Sequence, residues 1–376
     1  MFGGLLKEME NATMVNRYIK DYLVDYKNYK TYWNYEDGCV LMGCLQLYEA
    51  TGEVFYKEFI FNYLKNFITD DGTINNYEME KYNIDSINAG KILFFCYAET
   101  KEEKYRKAIE ALMEQIRSHP RTECGNFWHK KIYPNQIWLD GLYMAQPFYM
   151  AYETVFNNKA NYNDIISQFV NVRKYIFDDG KMLYYHAFDE SKTQCWADEK
   201  TGLSKNFWLR SMGWYLMALI DTMDVMSIEI FEHYKTLEGL FKEAIKGILQ
   251  YQEKENKLFY QVIDKGDIEG NYTETSGSAM IAYAIMKACR MGVLSEEKYR
   301  AIGEEVFDAI IEHKMIQEDG RIKLTGICQV AGLGPDERRD GSVSYYLSEP
   351  VVCDDSKGVG PFMMAYAQKL MLNCKK

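Results

Sequence analysis

The sequence predicts an all-α protein with a single domain, residues 1–376, built as an (α/α)6 barrel, a six-hairpin toroid. Three observations predict this fold. Apolar residues recur at helical spacing along most of the chain. Short Asp-Gly and aromatic stretches interrupt them with a period of roughly 50 to 80 residues. No Pro-, Gly- or Ser-rich linker divides the chain.

Each interruption is followed by a segment that is apolar nearly all round, which is typical of a buried helix. Between these lie six segments that are more polar and have one solvated face. The sequence therefore predicts that inner and outer helices alternate along the chain. The loops would then gather over one rim. The six apolar segments are NYEDGCVLMGCLQLYEATG, IDSINAGKILFFCYAET, IWLDGLYMAQPFYMAYE, FWLRSMGWYLMALIDTM, ETSGSAMIAYAIMKACRMG and GVGPFMMAYAQKL.

Composition and charge limit the partners. The net charge of −11 repels nucleic acid and anionic membrane surfaces at long range. The N-terminal segment reads as an amphipathic helix without a secretory cleavage site, and nothing approaches transmembrane length. Nine cysteines are spread singly with no Cys-x-x-Cys pair, which predicts neither disulfides nor zinc. We expect a cytoplasmic monomer or weak homo-oligomer with no metal and no cofactor.

Polar residues at the starts of the inner helices would converge on one central funnel. Asp85 and Asp140 stand at the openings of two successive inner helices, where the helix dipole and free N–H groups favour a carboxylate. Each could be a plain helix cap. Their matching positions in successive repeats favour a functional pair instead.

Other candidates lie on equivalent rim segments. His129 and Lys130 lie within one interruption, His186 lies within another, and Arg210 stands at a helix start. The segment that begins at Gly332 lacks the Lys-Ser/Thr of a phosphate loop and is predicted to be a lid over the rim. The other binding candidates at the rim are Asn34, Tyr35, Trp138 and Trp214.

The chain closely resembles the unsaturated rhamnogalacturonyl hydrolases of glycoside hydrolase family 105, almost end to end. The resemblance implies an (α/α)6 barrel and an activity in pectin degradation and carbohydrate metabolism: release of a terminal 4,5-unsaturated galacturonic acid from rhamnogalacturonan-derived oligosaccharides. It is carried by WNYEDG, YNIDSINAGK, HPRTECGNFWHKKIYPNQIWLDGLYMAQPF, YHAFDESKTQCWAD, TGLSKNFWLRSMGWY, YQVIDKGD and SYYLSEPVVCDDSKGVG.

Carried over to this sequence, the family motifs make Asp140 the general acid/base and Asp85 a second carboxylate that touches the sugar. They place His129, His186, Arg210 and Trp214 in the substrate site. Many relatives have a His where this chain has Asn34, whereas Tyr35 fits the family. The loop near Gly332 varies within the family, so the resemblance does not identify the leaving sugar.

The implied mechanism is hydration of a vinyl ether. Asp140 would protonate C4, water would add at C5, and the resulting hemiketal would open and release the neighbouring sugar. Arg210, His129 and Lys130 are all candidates for binding the uronate carboxylate. Two alternatives remain at this point: an unsaturated glucuronyl hydrolase acting on glycosaminoglycan fragments, and a non-catalytic glycan-binding toroid.

Overall fold

The computed structural model describes residues 2–374 and contains fourteen α-helices within that range. Met1, Lys375 and Lys376, which the single-domain prediction includes, lie outside the described residues. In chain order the helices are α1 (Phe2–Val24), α2 (Tyr35–Thr51), α3 (Val54–Leu64), α4 (Asp85–Asn88), α5 (Lys91–Thr100), α6 (Glu103–Ser118), α7 (Leu139–Val155), α8 (Tyr162–Ile176), α9 (Leu209–Val225), α10 (Phe231–Ile248), α11 (Thr275–Arg290), α12 (Glu296–Lys314), α13 (Val343–Ser348) and α14 (Ser356–Cys374).

The inner ring consists of α2, the pair α4 and α5, α7, α9, α11 and α14. Each packs against its neighbours, and α14 packs against α2, which closes the ring. Burial is most complete in α9, where every residue from Leu209 to Met223 is buried, whereas α5 is buried mainly at its start. The outer helices, such as α6, bury one face only. The predicted toroid is therefore confirmed.

The N-terminal helix completes the outer ring. The side chain of Tyr18 in α1 packs edge-on against Phe362 of α14, and Tyr26, just beyond α1, contacts Phe59 of α3. The outer helices are therefore α1, α3, α6, α8, α10 and α12. Among residues 2–374, no helix combines the length and apolarity needed to cross a bilayer.

Small residues let the inner helices approach closely. A Cβ placed on Gly360 of α14 would lie 2.7 Å from the backbone of Cys39 in α2, so only glycine fits at this seam. A Cβ on Gly213 of α9 would lie 2.7 Å from the sulfur of Met280 in α11. Both positions lie where neighbouring inner helices touch.

One inner helix differs from the prediction of a single segment. The chain breaks between α4 and α5, where Gly90 N donates to Ile87 O and Leu93 N donates to Gly90 O, so the turn tightens to i→i+3 hydrogen bonds. A Cβ on Gly90 would lie 2.4 Å from a methyl carbon of Leu112. Packing against α6 therefore accompanies the tight turn.

The interrupting segments form short antiparallel hairpins and ladders over the rim. Residues Trp138 and Ala187 are paired in the first of these, and Leu139 N donates to His186 O, which brings the start of α7 beside His186. The pairs are β1 (Gln136–Trp138) with β4 (Ala187–Asp189), β2 (Phe177–Asp178) with β3 (Leu183–Tyr184), β5 (Met315–Glu318) with β6 (Arg321–Leu324), and β7 (Ile327–Cys328) with β8 (Val351–Val352).

Candidate active site

A cavity of about 190 Å³ opens at the rim where the inner helices begin. Every predicted site residue except His186 lines it, so the predicted convergence of the helix starts is observed. The lining predicted residues are Asn34, Tyr35, Asp85, His129, Lys130, Trp138, Asp140, Arg210, Trp214 and Gly332.

Asp85 is an ion-paired carboxylate rather than a helix cap. The cap position of α4 is Ile84, and the Asp85 carboxyl accepts from Lys130 Nζ at 2.7 Å, with His129 Nε2 at 3.5 Å. Burial alone would raise the pKa of Asp85, but Lys130 and then His129 outweigh it and hold that pKa below its usual value. Asp85 therefore carries a negative charge at neutral pH.

Asp140 has a different environment. It is the second residue of α7, whose cap position is Trp138, so it is not a cap either. Its Oδ2 is buried and lies 3.4 Å from His186 Nε2, and neither atom has a hydrogen-bond partner among the described residues. Among those residues no Lys or Arg pairs with this carboxyl. His186 thus supports the site from behind the cavity wall.

An aromatic wall stands beside the two carboxyls. The His129 ring stacks on Trp138 with centroids 4.4 Å apart and planes 6° apart, and Tyr133 stacks on the same indole at 5.1 Å. Burial lowers the pKa of His129 to about 4, although Asp85 opposes this. His129 is therefore neutral at neutral pH and offers a hydrogen bond rather than a charge.

A second group of aromatic rings surrounds Trp214, which also lines the cavity. Trp214 stacks on Tyr143 with centroids 4.9 Å apart and planes 15° apart, and Tyr35 meets Trp214 edge-on at 6.4 Å. Flat apolar faces of this kind suit the face of a sugar ring. Tyr143 was not predicted, because nothing in its helical segment separates it from ordinary core tyrosines.

Two predicted binding residues already hold internal partners. Arg210 is buried: its Nε donates to Ser276 Oγ at 2.8 Å, its Nη2 donates to the Cys328 carbonyl, and Glu274 lies 3.5 Å away. The Asn34 side chain caps α2 by accepting from Asp37 N at 2.9 Å. Asn34 therefore lines the cavity while its side-chain amide caps the N-terminus of α2.

The predicted lid contributes to the mouth of the cavity. The carbonyl of Gly332 accepts from the Tyr345 hydroxyl at 2.6 Å, and Arg339 also lines the cavity. Sequence reasoning missed several lining residues, most of them neighbours of predicted ones in the chain. They are Lys30, Tyr32, Trp33, Glu36, Asn83, Ser86, Tyr133, Met144, Val330, Ala331 and Arg339.

Comparison with known proteins agrees with the fold. Residues 6–373 match the model of Glycosyl Hydrolase Family 88. The solved structure of a family 105 glycoside hydrolase from C. acetobutylicum is 44% identical, covers 94% of this chain and 98% of that one, and gives a TM-score of 0.89.

Two curated relatives extend the comparison. The 24.9 kDa protein in the picA locus of Rhizobium radiobacter is 40% identical over 235 residues, which is 61% of this chain and 99% of that protein. The unsaturated rhamnogalacturonyl hydrolase YesR of Bacillus subtilis is 25% identical over 299 residues, 77% of this chain and 78% of that protein. The chain is therefore a glycoside hydrolase that matches the family 88 model. Its similarity to the family 105 structure confirms the family that its motifs predicted.

Proposed function

We propose that this glycoside hydrolase releases the terminal 4,5-unsaturated galacturonic acid from rhamnogalacturonan-derived oligosaccharides by hydrating the vinyl ether double bond. The name of its relative YesR supports this substrate class. We further propose that residues 1–376 form one domain, a monomer or weak homo-oligomer, that processes pectin fragments in the cytoplasm. Unsaturated ends of this kind are the products of polysaccharide lyases.

The contrast between the two carboxyls is the observation that carries the proposal. Asp85 is held ionised by Lys130, so it is suited to accept hydrogen bonds from sugar hydroxyls. Asp140 has no such cation and lies beside His186, so it is the carboxyl suited to hold and return a proton. Hydration of a vinyl ether needs one acid/base, whereas ordinary glycoside cleavage needs two carboxyls at the anomeric carbon.

The reaction then follows from the position of Asp140. Its proton moves to C4 of the unsaturated ring, and positive charge develops at C5, next to the ring oxygen. Water adds to C5 while its proton returns to the Asp140 carboxylate. The product is a hemiketal that opens and frees the leaving sugar, so the bond to that sugar breaks after the catalytic step.

The cavity walls account for binding of the unsaturated ring. A space of about 190 Å³, lined by Trp138 and Trp214 among others, suits one sugar ring at the end of a chain. Lys130 and Arg210 line this space, and each already faces one protein carboxylate. By offsetting these carboxylates, the two cations lower the electrostatic cost of bringing the uronate carboxylate into the cavity. Gly332 and Arg339 also line this space, and we propose that they face the leaving sugar.

The test follows the ultraviolet absorbance of the conjugated double bond. Purified protein is mixed with a lyase-generated rhamnogalacturonan disaccharide and, separately, with an unsaturated chondroitin disaccharide. Loss of absorbance with the pectin fragment supports the proposal. Loss with chondroitin alone would instead identify an unsaturated glucuronyl hydrolase acting on glycosaminoglycan fragments, and loss with neither would refute the proposed substrate class.

A further inference from the structure

A buried tyrosine stands behind the proposed acid/base. Tyr346, in α13, is fully buried, and its hydroxyl lies 2.8 Å from Nδ1 of His186. The other ring nitrogen of His186 lies 3.4 Å from Oδ2 of Asp140. The three side chains contact one another in the order Tyr346, His186, Asp140, and of the three only Asp140 borders the cavity.

The imidazole in the middle of this line is held in place by aromatic rings. Trp138 meets His186 edge-on with centroids 5.4 Å apart, and Trp208 packs on it at 4.6 Å. Tyr346 in turn lies against Trp208, with centroids 6.2 Å and planes 23° apart. Because these rings fix the orientation of the imidazole, a hydrogen bond from Tyr346 can determine which ring nitrogen of His186 carries the proton.

The surroundings favour one position for that proton. Oδ2 of Asp140 is buried without a hydrogen-bond partner among the described residues, and Nε2 of His186 lies 3.4 Å from it. A neutral imidazole with its proton on Nε2 leaves Nδ1 bare, and the Tyr346 hydroxyl is placed to donate to it. Burial, with smaller contributions from Tyr345 and Asp140, raises the pKa of Tyr346 well above its usual value, so the phenol keeps its proton.

We propose that Tyr346 is a positioning residue of the hydration reaction. Its hydroxyl donates to Nδ1 of His186, fixes the tautomer with the proton on Nε2, and so presents an N–H to Asp140. When Asp140 gives its proton to C4, this N–H stabilises the carboxylate that forms, until water adding at C5 returns a proton. The inference rests on the proposed function through the role given to Asp140.

The kinetic test uses Tyr346→Phe, which keeps the ring and its packing and removes the hydroxyl. We expect kcat to fall about tenfold, the order of one lost hydrogen bond, with KM little changed. Because the Asp140 carboxylate loses its donor, deprotonation becomes harder, and the alkaline limb of the kcat profile moves to higher pH.

Tyr345→Phe is the matched control, since the adjacent buried tyrosine loses a hydrogen bond of similar length to the Gly332 carbonyl. It should leave the alkaline limb of the kcat profile in place. An unmoved limb in Tyr346→Phe, or an equal shift in both variants, would overturn the inference and leave Tyr346 with a structural role.

A second measurement does not depend on turnover. Nitrogen NMR of histidine-labelled, full-length protein reports which ring nitrogen carries the proton, and the His186 signal is identified by its loss in His186→Gln. We expect a protonated Nε2 and a bare Nδ1 in the wild type, and loss of this pattern in Tyr346→Phe. A protonated Nδ1 in the wild type would refute the inference. The expected tautomer in a protein that turns over no unsaturated galacturonide would refute the proposed function alone.

Discussion

Removing the ammonium group of Lys130 should destabilise the protein through Asp85. The two groups lie 2.7 Å apart, and their side chains are 25% and 11% exposed. Lys130→Met keeps the apolar stem and leaves the Asp85 carboxylate without a charged partner, because His129 is neutral at neutral pH. Breaking a fully buried pair costs about 3–5 kcal/mol, and the partial exposure of Lys130 reduces this to about 2–3 kcal/mol.

Urea unfolding at neutral pH measures this loss of unfolding free energy, and thermal unfolding provides a second readout. With an unfolding entropy of about 2.1 cal/mol/K per residue, the expected loss corresponds to about 2.5–4 °C for the 376-residue chain. Asp85→Asn is the control for the pair. The double variant should be about as stable as Asp85→Asn alone, since the Asn side chain has no charge to compensate.

The stability that Asp85 contributes depends on pH. In the wild type the pKa of Asp85 is lowered, so the stability it contributes is complete above about pH 3.9 and is lost as the pH falls through the folded-state pKa. In Lys130→Met the effect of burial on the pKa of Asp85 is no longer offset by a cation. The loss of unfolding free energy relative to the wild type should therefore shrink towards about pH 4, as the carboxyl takes up a proton. Additive single substitutions, or a deficit independent of pH, would refute this account of the pair.

Two further predictions concern the closed ring and its acid stability. Gly360→Ala should destabilise the protein by about 1–3 kcal/mol, because the added Cβ meets the backbone of α2 at 2.7 Å. Gly239→Ala, on an outer helix with no atom within 4 Å, should stabilise it by about 0.5–1 kcal/mol, and equal thermal shifts would contradict the tight seam. Burial lowers the pKa of His119 and of His129 to about 4, so stability is complete above about pH 6.5 and falls towards about pH 4. His119→Gln should flatten the unfolding free energy over this range while the exposed control His313→Gln should not, and an unchanged slope in His119→Gln would contradict the assignment.

The ring of helices was predictable because its signal is local. A helix such as α9, which is buried on every side, must be apolar on every side, and this pattern is visible in the sequence. The break between α4 and α5 was not predictable, because it accompanies the close packing of Gly90 against Leu112 of α6. Such contacts depend on the packed fold rather than on the segment.

The site residues that lie at the starts of inner helices were predictable from the sequence. Asp85 and Asp140 were found because all inner helices begin at one rim, and the structure then showed that neither side chain caps its helix. Tyr346 was missed because it meets His186 across 160 positions of the chain. Its segment, SYYLSEP, belongs to the family resemblance and offered a signal, but no spacing rule links it to the imidazole.

The internal partners of Arg210 were likewise invisible in the sequence. Its helix start predicts a place at the rim, whereas the structure shows its guanidinium held by Ser276 and by the Cys328 carbonyl. These partners come from a different inner helix and from β7. A sequence motif can therefore name a site residue without showing how its hydrogen bonds are shared between the protein and the substrate.

The most direct test of the central claim is the turnover of Asp140→Asn on the unsaturated rhamnogalacturonan disaccharide, followed by loss of the conjugated double bond. The substitution keeps the size of the side chain and removes the proton that C4 must receive. We expect kcat to fall about 10²- to 10⁴-fold while calorimetry shows that the disaccharide still binds. Turnover close to that of the wild type would contradict the assignment of Asp140 as the acid/base and, with it, the proposed mechanism.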